Sequence, residues 1–124
     1  VFADYITNII DKGLNPLPII GDGNQIRCFT WIDDIATIIA EHSFNPKTNG
    51  EAYNICNVEP ISMRELAKKI YAYTDNPTAL QFETVKEYPN DVMVRIPSID
   101  KLRSLIGNYE FKDVDFSIRQ CLSR

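Results

Sequence analysis

Between residues 17 and 34 the chain reads LPIIGDGNQIRCFTWIDD. Two apolar runs, LPII and roughly IRCFTWI, flank a Gly21-Asp22-Gly23-Asn24 turn whose glycines permit positive φ. A helical period precedes them: Phe2, Tyr5, Ile6, Ile9 and Ile10 recur on one face up to Lys12, and Gly13 stands where a left-handed residue ends a helix. A second helical period follows with Ile35, Ile38, Ile39 and His42, and Asp33 or Asp34 is expected as its N-cap. The order helix, strand, turn, strand, helix rules out an all-α or all-β fold. It leaves an α/β (α+β) domain with a small mixed sheet and flanking helices.

The rest of the chain continues the alternation. NPKTNG at 45–50 reads as a loop and EAYNICNV at 51–58 as a strand. SMRELAKKIYAYT is the clearest helix: Ser62 and Glu65 form a capping box, and Met63, Leu66, Ala67, Ile70 and Tyr73 build one apolar face. LQFETV reads as a further strand and EYPNDVMVRIP as an irregular segment carrying Arg95. Ser98 is expected to cap a short helix that ends at Gly107, and a last helix is expected from Asp113 to Leu122. No repeat or linker divides the 124 residues, so one lobe is expected, large enough to bury roughly two-thirds of its unfolded surface. The chain opens on Val1 in mid-helix with no capping residue ahead of it, and a truncated or processed product is expected.

Charge and composition exclude several functions. The net charge is −4, and no run of Lys or Arg supplies the counterion release that drives nucleic-acid binding. No apolar run approaches the ~20 residues that span a bilayer, so no membrane partner is expected. Cys28, Cys56 and Cys121 are widely spaced, and His42 is the single histidine. They support neither a disulfide framework nor a metal site, and a cytoplasmic protein is expected.

Few residues invite chemistry. His42, without a neighbouring nucleophile, reads as structural. Gly21-Asp22-Gly23 sits between two strands instead of opening a helix, so it fails as a dinucleotide fingerprint, and no Gly-Lys-Ser/Thr follows to make it a phosphate loop. Trp31 reads as a core or interface aromatic. Arg27 and Arg95 each lie near a strand end among apolar neighbours, where a guanidinium can clamp phosphate oxygens in a fork. An ion pair to Asp33, Asp34 or Asp91 explains them equally well from residue types alone.

The order and spacing of these pieces resemble the C-terminal part of the extended short-chain dehydrogenase/reductase family, the NAD-dependent nucleotide-sugar epimerases and dehydratases. The resemblance covers nearly the whole chain. It rests on Gly21-Asp22-Gly23, Gln25, Arg27, Phe29, Asp34, Gly50, Tyr53-Asn54-Ile55, Glu65-Leu66-Ala67, Ile70, Asp91, Arg95, Pro97, Lys101 and Gly107. Ser98 stands where the family often has Asp. The dTDP-glucose dehydratases of the family show a His after the Asp at 34 and a DRPGHD-like run before the second arginine, whereas this chain has Ile35 and EYPNDVMVR. The resemblance is therefore nearest to UDP-sugar 4-epimerase or decarboxylase relatives.

It implies that Arg27 and Arg95 hold the pyrophosphate of a nucleotide-sugar, a UDP-sugar in first place, and that Pro18, Ile19 and Ile20 line the base pocket. Asp34 and Asn54 would be structural or orienting residues, Asp34 as an N-cap that also orients Arg27. NAD would be bound by an N-terminal Rossmann domain absent from this chain, together with the catalytic Ser/Thr and Tyr-x-x-x-Lys. No Tyr here is followed four positions later by Lys, and Tyr109 to Lys112 is one residue short. The chain is then the substrate-binding lobe of a UDP-sugar 4-epimerase-like enzyme without turnover of its own. A decarboxylase or 4,6-dehydratase lobe and a stand-alone binding module are the alternatives, and a homodimer is an expected assembly.

Overall fold

Leu17 and Ile19 are buried while Pro18 and Ile20 are half-buried, the alternation of a strand with one face on a core. In the computed structural model, which describes residues 1–123, this strand β1 (Leu17–Ile20) pairs in parallel with β4 (Phe82–Val85), Leu17 opposite Phe82 and Ile20 opposite Val85. Leu17 N–H donates to the Gln81 carbonyl at 2.9 Å and Gly21 N–H to that of Val85 at 3.1 Å. The amides of alternate residues thus face β4, and Pro18, out of phase, costs the ladder no bond. A second two-stranded sheet joins β2 (Ile26–Cys28) to β3 (Pro60–Ser62).

The chain forms two compact units. The first comprises Val1–Arg27 and Ile61–Arg95, the second Cys28–Pro60 and the residues from Ile96 onward. In the first, α1 (Phe2–Ile6) widens into a π-helical turn, Thr7–Asp11, and α1 packs against α3 (Met63–Tyr71). Ser62 caps α3: its Oγ accepts from Glu65 N–H at 3.1 Å, while the Glu65 carboxylate accepts from Ser62 N–H at 3.1 Å, the expected capping box. Ile9, Leu66 and Ile70 are at most 2% exposed, and burying each contributes about 1.5–3 kcal/mol. Leu66→Ala, which leaves a cavity, costs about 2–5 kcal/mol.

The second unit contains α2 (Ile32–His42), a 3₁₀ turn at Pro46–Thr48, α4 (Asp100–Ile106) and α5 (Val114–Leu122). Ile38, Ile99 and Leu102 form its core with Tyr53, Ile55, Ile106, Tyr109 and Phe111 around them. Trp31, half-buried, meets Phe116 edge-on at 5.6 Å between ring centroids. Gly107 ends α4 at φ 77°, and Asp113 caps α5 by accepting from Phe116 N–H at 2.6 Å.

Three local expectations are corrected. Residues 51–58 form no strand among the described residues. Side chains take up their backbone: Asn57 N–H donates to Thr30 Oγ1 at 3.0 Å, and Glu59 N–H to Asn57 Oδ1 at 2.9 Å. The N-cap of α2 is Trp31, without a side-chain cap bond, so neither Asp33 nor Asp34 caps it. The N-cap of α4 is Ile99, one residue beyond Ser98, whose Oγ instead accepts from Asp100 N–H at 3.3 Å.

Candidate functional site

The phase of two strands and one helix builds a cleft in the first unit. Leu17 and Ile19 turn into the core, so Pro18 and Ile20 turn away from it. Gln25 and Arg27, two apart, share one side of their own segment. On α1 and the turn after it, Asp4, Tyr5 and Asn8 recur at helical spacing. These residues, with Met63 and Asp91, line a cleft of ≈ 200 Å³. Tyr5 is kept protonated there, chiefly because burial disfavours its phenolate and secondly because of the Asp4 charge.

Arg27 is held from three directions. Its Nη1 donates to the Ile26 carbonyl at 2.8 Å and the Met93 carbonyl at 3.5 Å, and its Nη2 pairs with Asp91 Oδ1 at 3.0 Å, both side chains half-buried. The segment that brings Asp91 is itself tied to β2: Ile26 N–H donates to the Met93 carbonyl at 2.7 Å and Arg95 N–H to the Ile26 carbonyl at 3.1 Å. A guanidinium carries five N–H donors, and three are engaged here, which leaves two for a ligand. Of the carboxylates weighed for Arg27 in the sequence, Asp91 is its partner.

The other expected site residues separate. Arg95 has its backbone beside Ile26, but its side chain is exposed and does not line the cleft. Ile19 is 1% exposed with its side chain in the core, so only its backbone is available to a ligand. Asp34 does not orient Arg27. It is buried in the second unit, where its carboxylate accepts from Tyr109 OH at 3.0 Å and Lys112 N–H at 2.8 Å. Asn54 is exposed and donates to the Ser98 carbonyl at 3.0 Å. Gln25 has no chemical role by residue type, although the two-residue step from Gln25 to Arg27 places those two on one face.

The glycine turn fits no dinucleotide. Gly21 and Gly23 have φ 59° and 75°, and a Cβ on them would collide with the Glu87 and Ile19 side chains respectively, so protein fills the space a phosphate cradle leaves open. No group of three metal-ligating side chains occurs among the described residues. The cleft can therefore bind and orient; no nucleophile with its base lines it.

No family model matches the chain. A UDP-N-acetyl-alpha-D-glucosaminuronate decarboxylase from Bacillus cytotoxicus is 35% identical over 114 residues, covering 84% of this chain and 34% of that protein. An epimerase from Methanothermobacter thermautotrophicus superposes with a TM-score of 0.82 at 25% identity, covering 96% of this chain and 34% of that one. The Bordetella bronchiseptica enzyme WbmF, solved with NADH, superposes at 0.75 with 29% identity, covering 96% and 34%. The chain belongs to the extended short-chain dehydrogenase/reductase family, among its NAD-dependent epimerases and dehydratases. It spans about a third of the length of each of these relatives. The family and the mixed α/β fold expected both hold, and the solved structure of WbmF, which shares this fold, holds NADH.

Proposed function

We propose that this chain is the nucleotide-sugar-binding part of an NAD-dependent enzyme acting on a UDP-sugar. The observation that carries the proposal is the cleft itself, which gathers Pro18, Ile20 and a part-buried, oriented Arg27. The base would lie against Pro18 and Ile20 and the backbone of Ile19. The pyrophosphate would take the two free donors of Arg27, with the exposed Arg95 reaching it from the same strand neighbourhood. NAD and the catalytic base would belong to residues outside this chain, so the chain supplies position and electrostatics without turnover.

Among the reactions of the family, 4-epimerisation and decarboxylation of a UDP-sugar are the two readings retained. The 35% identity to a decarboxylase favours the second. Free Cys28, Cys56 and Cys121 and the absence of a membrane-length helix among the described residues fit a cytoplasmic enzyme. Calorimetric titration with UDP-N-acetylglucosamine tests the binding role. Arg27→Ala and Arg95→Ala should each weaken binding by about tenfold or more, and unchanged affinity in both variants would remove the assignment.

A further inference from the structure

Tyr88-Pro89-Asn90-Asp91 closes a turn in which Asp91 N–H donates to the Tyr88 carbonyl at 3.2 Å. Proline favours the second position of such a turn, and Asn90, at φ 65°, takes the left-handed third position that a type II turn uses. Two residues on, the chain is fastened to the strand that carries Arg27: Ile26 N–H donates to the Met93 carbonyl at 2.7 Å, and Arg95 N–H to the Ile26 carbonyl at 3.1 Å. Asp91 therefore stands between a closed turn and an anchored segment, all within the first unit. Its Oδ1 accepts from Arg27 Nη2 at 3.0 Å, with the two side chains only 26% and 21% exposed, and both residues line the cleft.

We propose that Asp91 is a positioning residue for phosphate recognition: it fixes the Arg27 guanidinium, and removing this acid weakens the binding of an anion. The proposal rests on reading the cleft as the nucleotide end of the site. Asp91 acts on a phosphate in two opposed ways. Its charge repels the anion, but the guanidinium at 3.0 Å already offsets that charge, and what remains is weakened by solvent at a part-exposed site. Its grip on Arg27 is not offset. The Ile26 and Met93 carbonyls hold Nη1 alone, about which the guanidinium can still swing, and the Asp91 bond to Nη2 is what fixes its plane. Without that bond the ligand itself must order a long, rotamer-rich side chain, and affinity falls.

Titrating the protein with UDP and with uridine separates positioning from charge and from fold. Asp91→Ala should weaken UDP about fivefold and leave uridine, which has no phosphate, unchanged; loss of a repelling charge alone would tighten UDP. Asp91→Asn keeps an oxygen for Nη2 and should recover most of the lost affinity. In an Arg27→Ala background, Asp91→Ala should have no further effect on UDP, because the group it positions is gone. Where Asp91→Ala does not fold, Asp91→Glu, which keeps the charge but moves the carboxylate by one methylene, takes its place with the same expectation. UDP binding that is unchanged or tighter, or a loss that uridine shares, overturns the positioning role while leaving the nucleotide site standing. Failure of the parent protein to bind either ligand removes the nucleotide reading of the cleft and the role of Asp91 with it.

Discussion

Both units bury polar side chains, and Asp34 in the second and Gln25 in the first are treated differently. In the second unit Asp34 has both carboxylate oxygens engaged, by the Tyr109 hydroxyl and the Lys112 amide. In the first, Gln25 has its amide nitrogen engaged and its oxygen unpaired. The surroundings differ in the same sense. The second unit's groove, ≈ 210 Å³, is lined mainly by apolar side chains, Ile38, Ile39, Ile55 and Leu102 among them, whereas the first unit's cleft presents Asp4, Asn8, Gln25, Arg27 and Asp91. A polar group whose valences are filled by the fold serves the fold. One left half-filled, as at Gln25, carries a desolvation cost that the fold does not offset.

The contrast is broken most directly at Asp34. Asp34→Ala leaves the half-buried Tyr109 hydroxyl and the Lys112 amide without the buried carboxylate that accepts from both, and each bond to a carboxylate is worth more than a neutral one. A destabilisation on the order of 3 kcal/mol is expected in urea unfolding. A loss below about 1 kcal/mol would show that Asp34 is no keystone of its unit. The Tyr109 phenol is held above its ordinary range by burial first and by the Asp34 hydrogen bond second, so the same variant should let Tyr109 ionise more readily.

Arg27 sharpens the comparison next, since the fold has filled only part of its capacity. Arg27→Lys keeps the charge but loses the fork that serves Asp91 and a phosphate together. UDP affinity should drop about tenfold, against little change in thermal stability. Lysine that binds UDP as well as arginine would mean that a point charge suffices and that the two remaining donors play no part.

How far the sequence reaches depends on how local the cause is. The strand Leu17–Ile20, the Ser62–Glu65 box and the Gly107 terminator are each set by neighbours a few residues apart, and each lies where the pattern places it. Residues 51–58 read as a strand by residue type, but a strand also needs a pairing partner, which residue type does not reveal. The role of Asp34 is invisible locally, since its partners lie 75 and 78 residues away. The same holds for Arg27, whose carboxylate partner is 64 residues on. The family was legible because it rests on many spaced residues at once. The unpaired oxygen of Gln25 was not, because nothing short of the folded environment shows which polar atoms lack a partner.

The smallest expected effect lies in the first unit, where a polar network is complete although exposed. The Glu65 carboxylate is held below its ordinary range, first by the Ser62 amide and then by the Ser62 hydroxyl, with Lys68 and Lys69 adding weaker attraction. A carboxyl depressed in the folded state contributes stability that is fully present above its unfolded pKa and is lost as pH falls through the folded one. Glu65→Gln retains an oxygen that accepts the same two bonds but does not titrate. The melting temperature of the variant should therefore lie slightly below that of the parent at neutral pH, and the gap should close on acidification below the ordinary carboxylate range, roughly pH 4. A gap that stays constant through that range would place the Glu65 contribution in packing or helix propensity instead of in its charge, and the contrast between filled and unfilled polar groups would then rest on Asp34 and Gln25 alone.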